Sequence, residues 1–184
     1  LAKEWLATLL HYRERLDGDG LRVSLEGPDP HSRDGQPSVM SSLGQLRDFA
    51  RRHDLAITMD TTHVGAAGED LMDSYATVRE KLVNIHISDS YLQSPFRCGG
   101  ILRPAFADHQ MLGRGDLPLS GFLSSIASDG YRGLLTVEVS PFAVRSWAPR
   151  ERATRLEEAV HFIGSALGHH VPAVAGKAEL AAME

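Results

Sequence analysis

The sequence predicts an α/β fold in which parallel strands alternate with covering helices. Three observations carry that expectation. Short β-rich runs at residues 21–26, 55–60, 83–89 and 134–138 alternate with stretches of helical periodicity. The runs are close to continuously apolar, as strands of a helix-covered parallel sheet tend to be. Each also delivers, near its C-terminal end, a side chain able to bind a metal: Glu26, Asp60, His86 and Glu138. Parallel sheets gather their functional groups at that end.

The elements follow in order. Residues 1–16 place Leu1, Trp5, Leu6, Leu9, Leu10 and Leu16 on one stripe, which predicts an amphipathic helix stopped by Asp17-Gly18-Asp19-Gly20. The first strand, 21–26, ends at Gly27-Pro28-Asp29-Pro30, because each proline removes a backbone donor. A polar loop reaches Ser41. Ser42 then suits the cap of a helix whose inner face is Leu43, Leu46, Phe49 and Ala50. After the second strand, 55–60, residues 61–65 read as a loop and 69–82 as a helix carrying Leu71, Met72, Tyr75, Val78 and Leu82. The third strand, 83–89, opens into an irregular stretch, 90–118, long enough to be a functional loop. A short helix near 119–128 and the turn Gly130-Tyr131-Arg132-Gly133 lead to the fourth strand. Pro149 suits the first turn of a last helix reaching about Leu167, with Leu156, Ala159, Val160, Ile163 and Leu167 as its apolar positions. Residues 1–167 thus read as one domain segment and 168–184 as an Ala-rich tail.

Composition narrows the function classes. A chain of 184 residues, 42% hydrophobic, is large enough for a substantial core. No apolar run approaches the roughly 18–20 residues that cross a bilayer, so no membrane partner is expected. Net charge of −5 and a pI near 6.0 argue against a general nucleic-acid binder. The single cysteine, Cys98, excludes an internal disulfide and a cysteine-based metal site, and fits a reducing cytoplasm. The chain begins at Leu1, not Met, inside a helical pattern, so residues upstream of it are expected.

Three carboxylates and one imidazole make an oxygen-rich donor set. It suits Mn²⁺, Mg²⁺ or Co²⁺ better than a structural zinc, which favours sulfur and nitrogen. The spacings of 34, 26 and 52 residues are too wide for a local motif, so convergence depends on the fold. A single acidic residue at a strand end is commonly a helix cap or a solvated loop residue. Four donors at equivalent places are not what packing alone produces. His63, three residues past Asp60, reads as a further ligand or a hydrogen-bond donor to a bound carbonyl, with an exposed loop histidine as the plain alternative. His109, ahead of Gly113-Arg114-Gly115, reads equally as ligand, substrate contact or surface residue. Arg97, Arg103 and Arg114 are able to grip phosphate or carboxylate bidentately, against a default of solvated loop. Trp5 and Trp147 read as core, although a sugar could stack on Trp147 just past the fourth strand.

At these residues the sequence resembles the xylose isomerase-like TIM-barrel superfamily of sugar and sugar phosphate isomerases and epimerases, related to endonuclease IV. The resemblance is carried by Ser24-Leu25-Glu26, Met59-Asp60-Thr61-Thr62-His63, Asn84-Ile85-His86-Ile87-Ser88-Asp89, His109 with Gly113-Arg114-Gly115, and Gly130-Tyr131-Arg132-Gly133 leading to Val137-Glu138. It implies a (β/α)8 TIM barrel of which this chain supplies the C-terminal half, strands five to eight. It implies Glu26, Asp60, His86 and Glu138 as ligands of a divalent metal, with Glu26 and Glu138 also as the catalytic pair that moves a proton on two faces of the substrate. His63 matches a residue that contacts substrate in the epimerase branch and binds metal in the endonuclease branch. His109 matches a third-metal ligand of the endonucleases. Ala107 stands where that branch has an aspartate, and Leu92 stands where sugar epimerases place a substrate-contacting arginine.

The expected activity is therefore isomerisation or epimerisation of a sugar, sugar phosphate or keto-polyol, by proton transfer next to a carbonyl through an enediolate. The alternatives are a dehydratase acting on a related polyol, an endonuclease IV-like phosphodiesterase, and a sugar-binding barrel without turnover. Half a barrel leaves two bare parallel edges. The expected remedies are about 100 further residues, judged by the usual size of this barrel, or a homo-oligomer that closes it; a truncated, inactive remnant is the third reading.

Overall fold

Four strands, β1 (Ser24–Glu26), β2 (Ala56–Asp60), β3 (Leu82–Ile87) and β4 (Leu134–Val137), form one parallel sheet in sequence order. The helices between and around them are α1 (Ala2–Gly18), α2 (Leu43–His53), α3 (Thr61–Ala67), α4 (Leu71–Val78), α5 (Leu119–Ser128) and α6 (Pro149–Ala166). The computed structural model describes residues 2–30, 40–92 and 106–169. Arg97, Cys98, Arg103, His170 with the rest of the tail, and the Trp5 side chain lie outside the described part.

Side chains alternate across a strand, and here the alternation separates chemistry from packing. Leu25, Ile57, Met59, Ile85, Ile87, Leu135 and Val137 point to the helices. Leu43, Leu46 and Ala50 of α2, Leu71, Tyr75 and Val78 of α4, and Phe122, Leu123 and Ile126 of α5 close over them. The opposite face is polar. Ser24, Thr58, Asn84 and Thr136 lie two residues before Glu26, Asp60, His86 and Glu138 respectively. Ser24 Oγ and Thr58 Oγ1 are 2.9 Å apart, and Thr136 Oγ1 donates to Asn84 Oδ1 at 3.0 Å. The expected near-continuous apolar character of the strands is thus corrected: one face of every strand is polar where the site lies.

Burial falls from the middle of the sheet outward. β2 is buried along its whole length, whereas β1 and β4 alternate between exposed and half-buried residues. The α1 stripe is the less exposed face of its helix: Leu6, Leu9, Leu10 and Leu16 are half-buried, and Leu9 packs against the core. The last helix departs from its expected face. In α6, Leu156 and Val160 are exposed, and the helix packs instead through Ala159, Phe162, Ile163 and Ala166. That helix rests against α5, and its Arg155 Nη1 donates to Ala143 O at 2.8 Å.

Local signals explain most boundaries. Ser42 caps α2 by accepting from Gln45 N at 3.3 Å, a contact worth about 1 kcal/mol. Pro149 sits in the first turn of α6. Residues 61–65, expected as a loop, form helix α3 instead. The cause is Asp60, whose Oδ1 accepts from Thr62 N at 2.7 Å and His63 N at 3.0 Å. Trp147, expected in the core, is 64% exposed, in ring contact with Phe142 at 5.7 Å.

At the strand starts, ion pairs tie neighbouring connections together. Lys81 Nζ lies 2.7 Å from Asp54, Arg79 lies 3.1 Å from Asp129, and Arg51 pairs with Glu80. Tyr75 donates to Asp129 Oδ2 at 2.9 Å.

At the other end, Gly115 passes against Asp89 and Ser90. A Cβ there would meet Asp89 Oδ1, Ser90 O at 2.5 Å and Ser90 N at 2.7 Å. Two of those atoms are backbone and cannot turn aside. Gly115→Ala should lower unfolding free energy by about 1–3 kcal/mol, measured by urea denaturation. Gly121, in α5, is the opposite case, because a Cβ added there would have nothing within 4 Å. Gly121→Ala should raise stability by about 0.5–1 kcal/mol in the same assay.

Candidate metal centre

Each of the four expected ligands is delivered by a strand. Glu26 is the last residue of β1, Asp60 the last of β2, His86 the next to last of β3, and Glu138 directly follows β4. Glu138 N bonds Ile87 O at 3.2 Å, which extends the pairing one step past β4. One donor atom from each of the four lies within 4.8 Å of those from the others. Residues separated by as many as 112 positions in the chain (138 − 26) therefore meet at one point.

The electrostatics of this group call for a cation. Asp60 is 1% exposed. Its Oδ1 is occupied by the α3 amides, and its Oδ2 is buried with no hydrogen-bond partner. Burial pushes its pKa above the ordinary 3.8, against the lowering influence of His63 and His109, and nearby Glu138 raises it further. His86 Nδ1 lies 2.6 Å from Glu138 Oε2 and 3.4 Å from Glu26 Oε1, yet it too makes no hydrogen bond. His86 Nδ1 thus sits against two carboxylates without a hydrogen bond to either. A divalent ion satisfies both that contact and the bare Asp60 oxygen. The residues present fit such an ion.

Asp60 also belongs to a second donor group with His63 and His109. The two rings are 5.8 Å apart, edge to face. His63 Nδ1 is 3.2 Å from Gly27 O. His109 arrives from the irregular stretch after β3, where Gln110 and Asp89 exchange backbone bonds at 2.7 and 3.0 Å. His109 has φ 51°, in the left-handed region. Ser140 N holds it there by donating to His109 O at 2.7 Å. Arg114, by contrast, is not brought to either group. Its guanidinium lies 3.5 Å from Glu158 of α6. A cleft of about 240 Å³ opens beside Asp60 and His63, between Gly27-Pro28 and Ser42. Three residues near this site escaped sequence reasoning: Thr61, Thr62 and Ser88. All three are buried and polar, flanking Asp60 and His86 by one or two positions. That juxtaposition in the sequence was the available signal.

A parallel sheet backed by helices, with donors gathered at the strand C-termini, is the architecture of a TIM barrel. The chain belongs to the xylose isomerase-like TIM barrel family, whose model matches residues 6–165. An uncharacterized protein of Mycobacterium leprae is 30% identical over 105 residues, which is 57% of this chain and 33% of that protein. An L-ribulose 3-epimerase superposes with a TM-score of 0.61 at 17% identity, over 95% of this chain and 55% of its own. The IOLI protein, solved with a bound zinc atom, superposes at 0.58 with 18% identity, over 87% of this chain and 54% of its own. The chain thus spans about half the length of the solved structures it matches. No described helix is long and apolar enough to cross a membrane.

Two outcomes follow from the bare carboxylate. Asp60→Asn keeps the cap acceptor and removes the buried charge. In the metal-free protein, Asp60's contribution to stability is complete below the unfolded value near 3.8 and is lost as pH rises through the elevated folded value. Asp60→Asn should therefore flatten that part of the profile and raise the metal-free Tm at pH 7. The rise in Tm on adding Mn²⁺ should vanish in the variant. Melting curves across pH, with and without metal, check both.

Proposed function

We propose that the chain carries the metal-binding and proton-transfer residues of an isomerase or epimerase acting on a sugar, sugar phosphate or keto-polyol. The observation that carries this reading is the placement of the two glutamates. β1 and β4 are the outer strands, so Glu26 and Glu138 flank the central pair, Asp60 and His86, from opposite sides. A substrate carbon between them is open to a carboxylate on either face.

Glu26, Asp60, His86 and Glu138 would hold a divalent ion, and the oxygen-rich set favours Mn²⁺, Mg²⁺ or Co²⁺ over Zn²⁺. When bound, such an ion supplies Lewis-acid polarisation of a substrate carbonyl. One glutamate then takes the proton from the carbon next to that carbonyl. The enediolate receives a proton at the adjacent carbon in an isomerase, or from the opposite glutamate in an epimerase. Both glutamates are only half-withdrawn from solvent, at 42% and 45% side-chain exposure, so they reach substrate and exchange protons. Asp60, fully buried, is a ligand and helix cap and has no access to carbon. The epimerase activity of the structural neighbours supports the reaction class. Residues 1–167 form the barrel segment in this reading, and 168–184 a tail outside it.

The test is proton exchange. The protein, loaded with Mn²⁺, is incubated with ketoses, aldoses and keto-polyols in D₂O and followed by ¹H NMR. Loss of the signal next to the carbonyl of at least one substrate is expected. Glu26→Gln and Glu138→Gln should each slow it by about 10²–10⁴-fold. Elimination of a β-hydroxyl would instead make the protein a dehydratase. Metal retention with no exchange across the panel would leave a binding barrel.

A further inference from the structure

The two central donors, Asp60 and His86, stand on strands whose pairing is irregular. Ile57 lies opposite Leu82 and Thr58 opposite Asn84, so β3 takes two steps where β2 takes one. The β1–β2 and β3–β4 registers run without such a shift. Above the shift the pairing is short, from Thr58 and Asn84 to Asp60 and His86. β2 then leaves the sheet, because Thr61 is the first residue of α3. So short a ladder is weak control over where two ligands meet, since a slip of one residue turns a side chain to the other face.

The Thr61 side chain continues the pairing where the β2 backbone stops. Thr61 Oγ1 donates to Ser88 O at 2.7 Å and accepts from Ser88 N at 3.1 Å. Both roles are fixed, because a backbone carbonyl only accepts and a backbone amide only donates. His86 O lies farther off, at 3.4 Å, and belongs to the same segment. On the other side of that segment, Ile87 O accepts from Glu138 N. Thr61 and Ser88 are both 0% exposed, so water does not stand in for the departed β2 backbone. Thr62 adds a second link, 2.8 Å from its Oγ1 to Ser88 Oγ, in whichever direction the proton runs. The same first turn of α3 holds the Asp60 carboxylate through Thr62 N and His63 N. A continuous path thus joins the Asp60 carboxylate to the backbone two residues past His86.

We propose that Thr61 is a positioning residue: its hydroxyl locks the end of β2 to the end of β3 and so sets the separation between the Asp60 and His86 donor atoms. It acts through the backbone of both strands. The inference rests on the metal-centre reading and gives it a reason for Asp60 and His86 to stay in register without an ion. Valine has the shape of threonine without the hydroxyl, and serine keeps the hydroxyl. Loss of the hydroxyl leaves the strand ends free to drift. Binding a divalent ion then has to order the donors as well as occupy them, which weakens it.

The experiment is calorimetric titration of Mn²⁺ into the metal-free protein. Thr61→Val should weaken binding by about 10–100-fold, the loss typical when groups that orient metal ligands are removed. Thr61→Ser should bind as the wild type does. Tyr75→Phe is the control for plain destabilisation. It deletes the hydroxyl that donates to Asp129 at the opposite end of the sheet, and should leave Mn²⁺ affinity unchanged. If Thr61→Val does not fold by itself, it is combined with Gly121→Ala, whose gain lies in α5, and titrated in the cold. Wild-type affinity in Thr61→Val, or a loss that Thr61→Ser or Tyr75→Phe shares, overturns the role of Thr61 and leaves the metal centre standing. A wild type that binds no Mn²⁺ overturns the metal-centre reading and the role of Thr61 with it. Mn²⁺ binding that depends on Thr61, with no proton exchange in D₂O, overturns the isomerase reading alone.

Discussion

The Asp60 carboxylate is the constraint on which the arrangement rests. It is the last residue of a fully buried strand and the first cap of the helix that follows. One of its oxygens is satisfied by the α3 amides, and that bond makes a helix of a segment whose sequence looks like a loop. The other oxygen is buried and bare. A desolvated carboxylate without a partner is costly, and evolution keeps such groups where a ligand repays the cost. Folding and site formation are therefore the same event at this residue. The carboxylate that caps α3 also supplies a donor atom within 4.8 Å of those from Glu26, His86 and Glu138.

The sheet reconciles two demands by giving one to each face. Its helix-side residues, from Leu25 to Val137, are apolar and mostly buried. Its other face carries two polar rows, with hydroxyl and amide groups beneath the donors. Ser24 with Thr58 and Thr136 with Asn84 bond across neighbouring strands, so the lower row satisfies itself. A donor row above an apolar floor would have freer side chains. Here the floor is hydrogen-bonded, and the strand ends are held by interactions that do not depend on the cation.

Much of this was legible in the sequence. The four strands, the α5 boundaries and the four donors were all recoverable from β-rich runs ending in a ligand-type residue, because the period of a strand and the chemistry of its last side chain are both local properties. What escaped was whatever depends on a neighbour. Helix α3 was missed because its cap, Asp60, belongs by pattern to the preceding strand. Leu156 and Val160 have the spacing of an inner face, but α6 packs through Ala159, Phe162, Ile163 and Ala166, a face turned from theirs. Trp147 has a core-type side chain in a place where the described structure puts no core. His109 and Ser88 lie 21 positions apart, and no periodicity relates a serine after one strand to a histidine in a long connection.

The ion pairs at the strand starts have a meaning of their own. Lys81 with Asp54, Arg79 with Asp129 and Arg51 with Glu80 occupy the end of the sheet opposite the donors. Asp60 serves both the fold and the site, whereas these pairs link connections without touching a donor residue. Each has a solvent-exposed partner and adds little stability by itself. Positions at that end are therefore able to vary with little effect on the donors at the other.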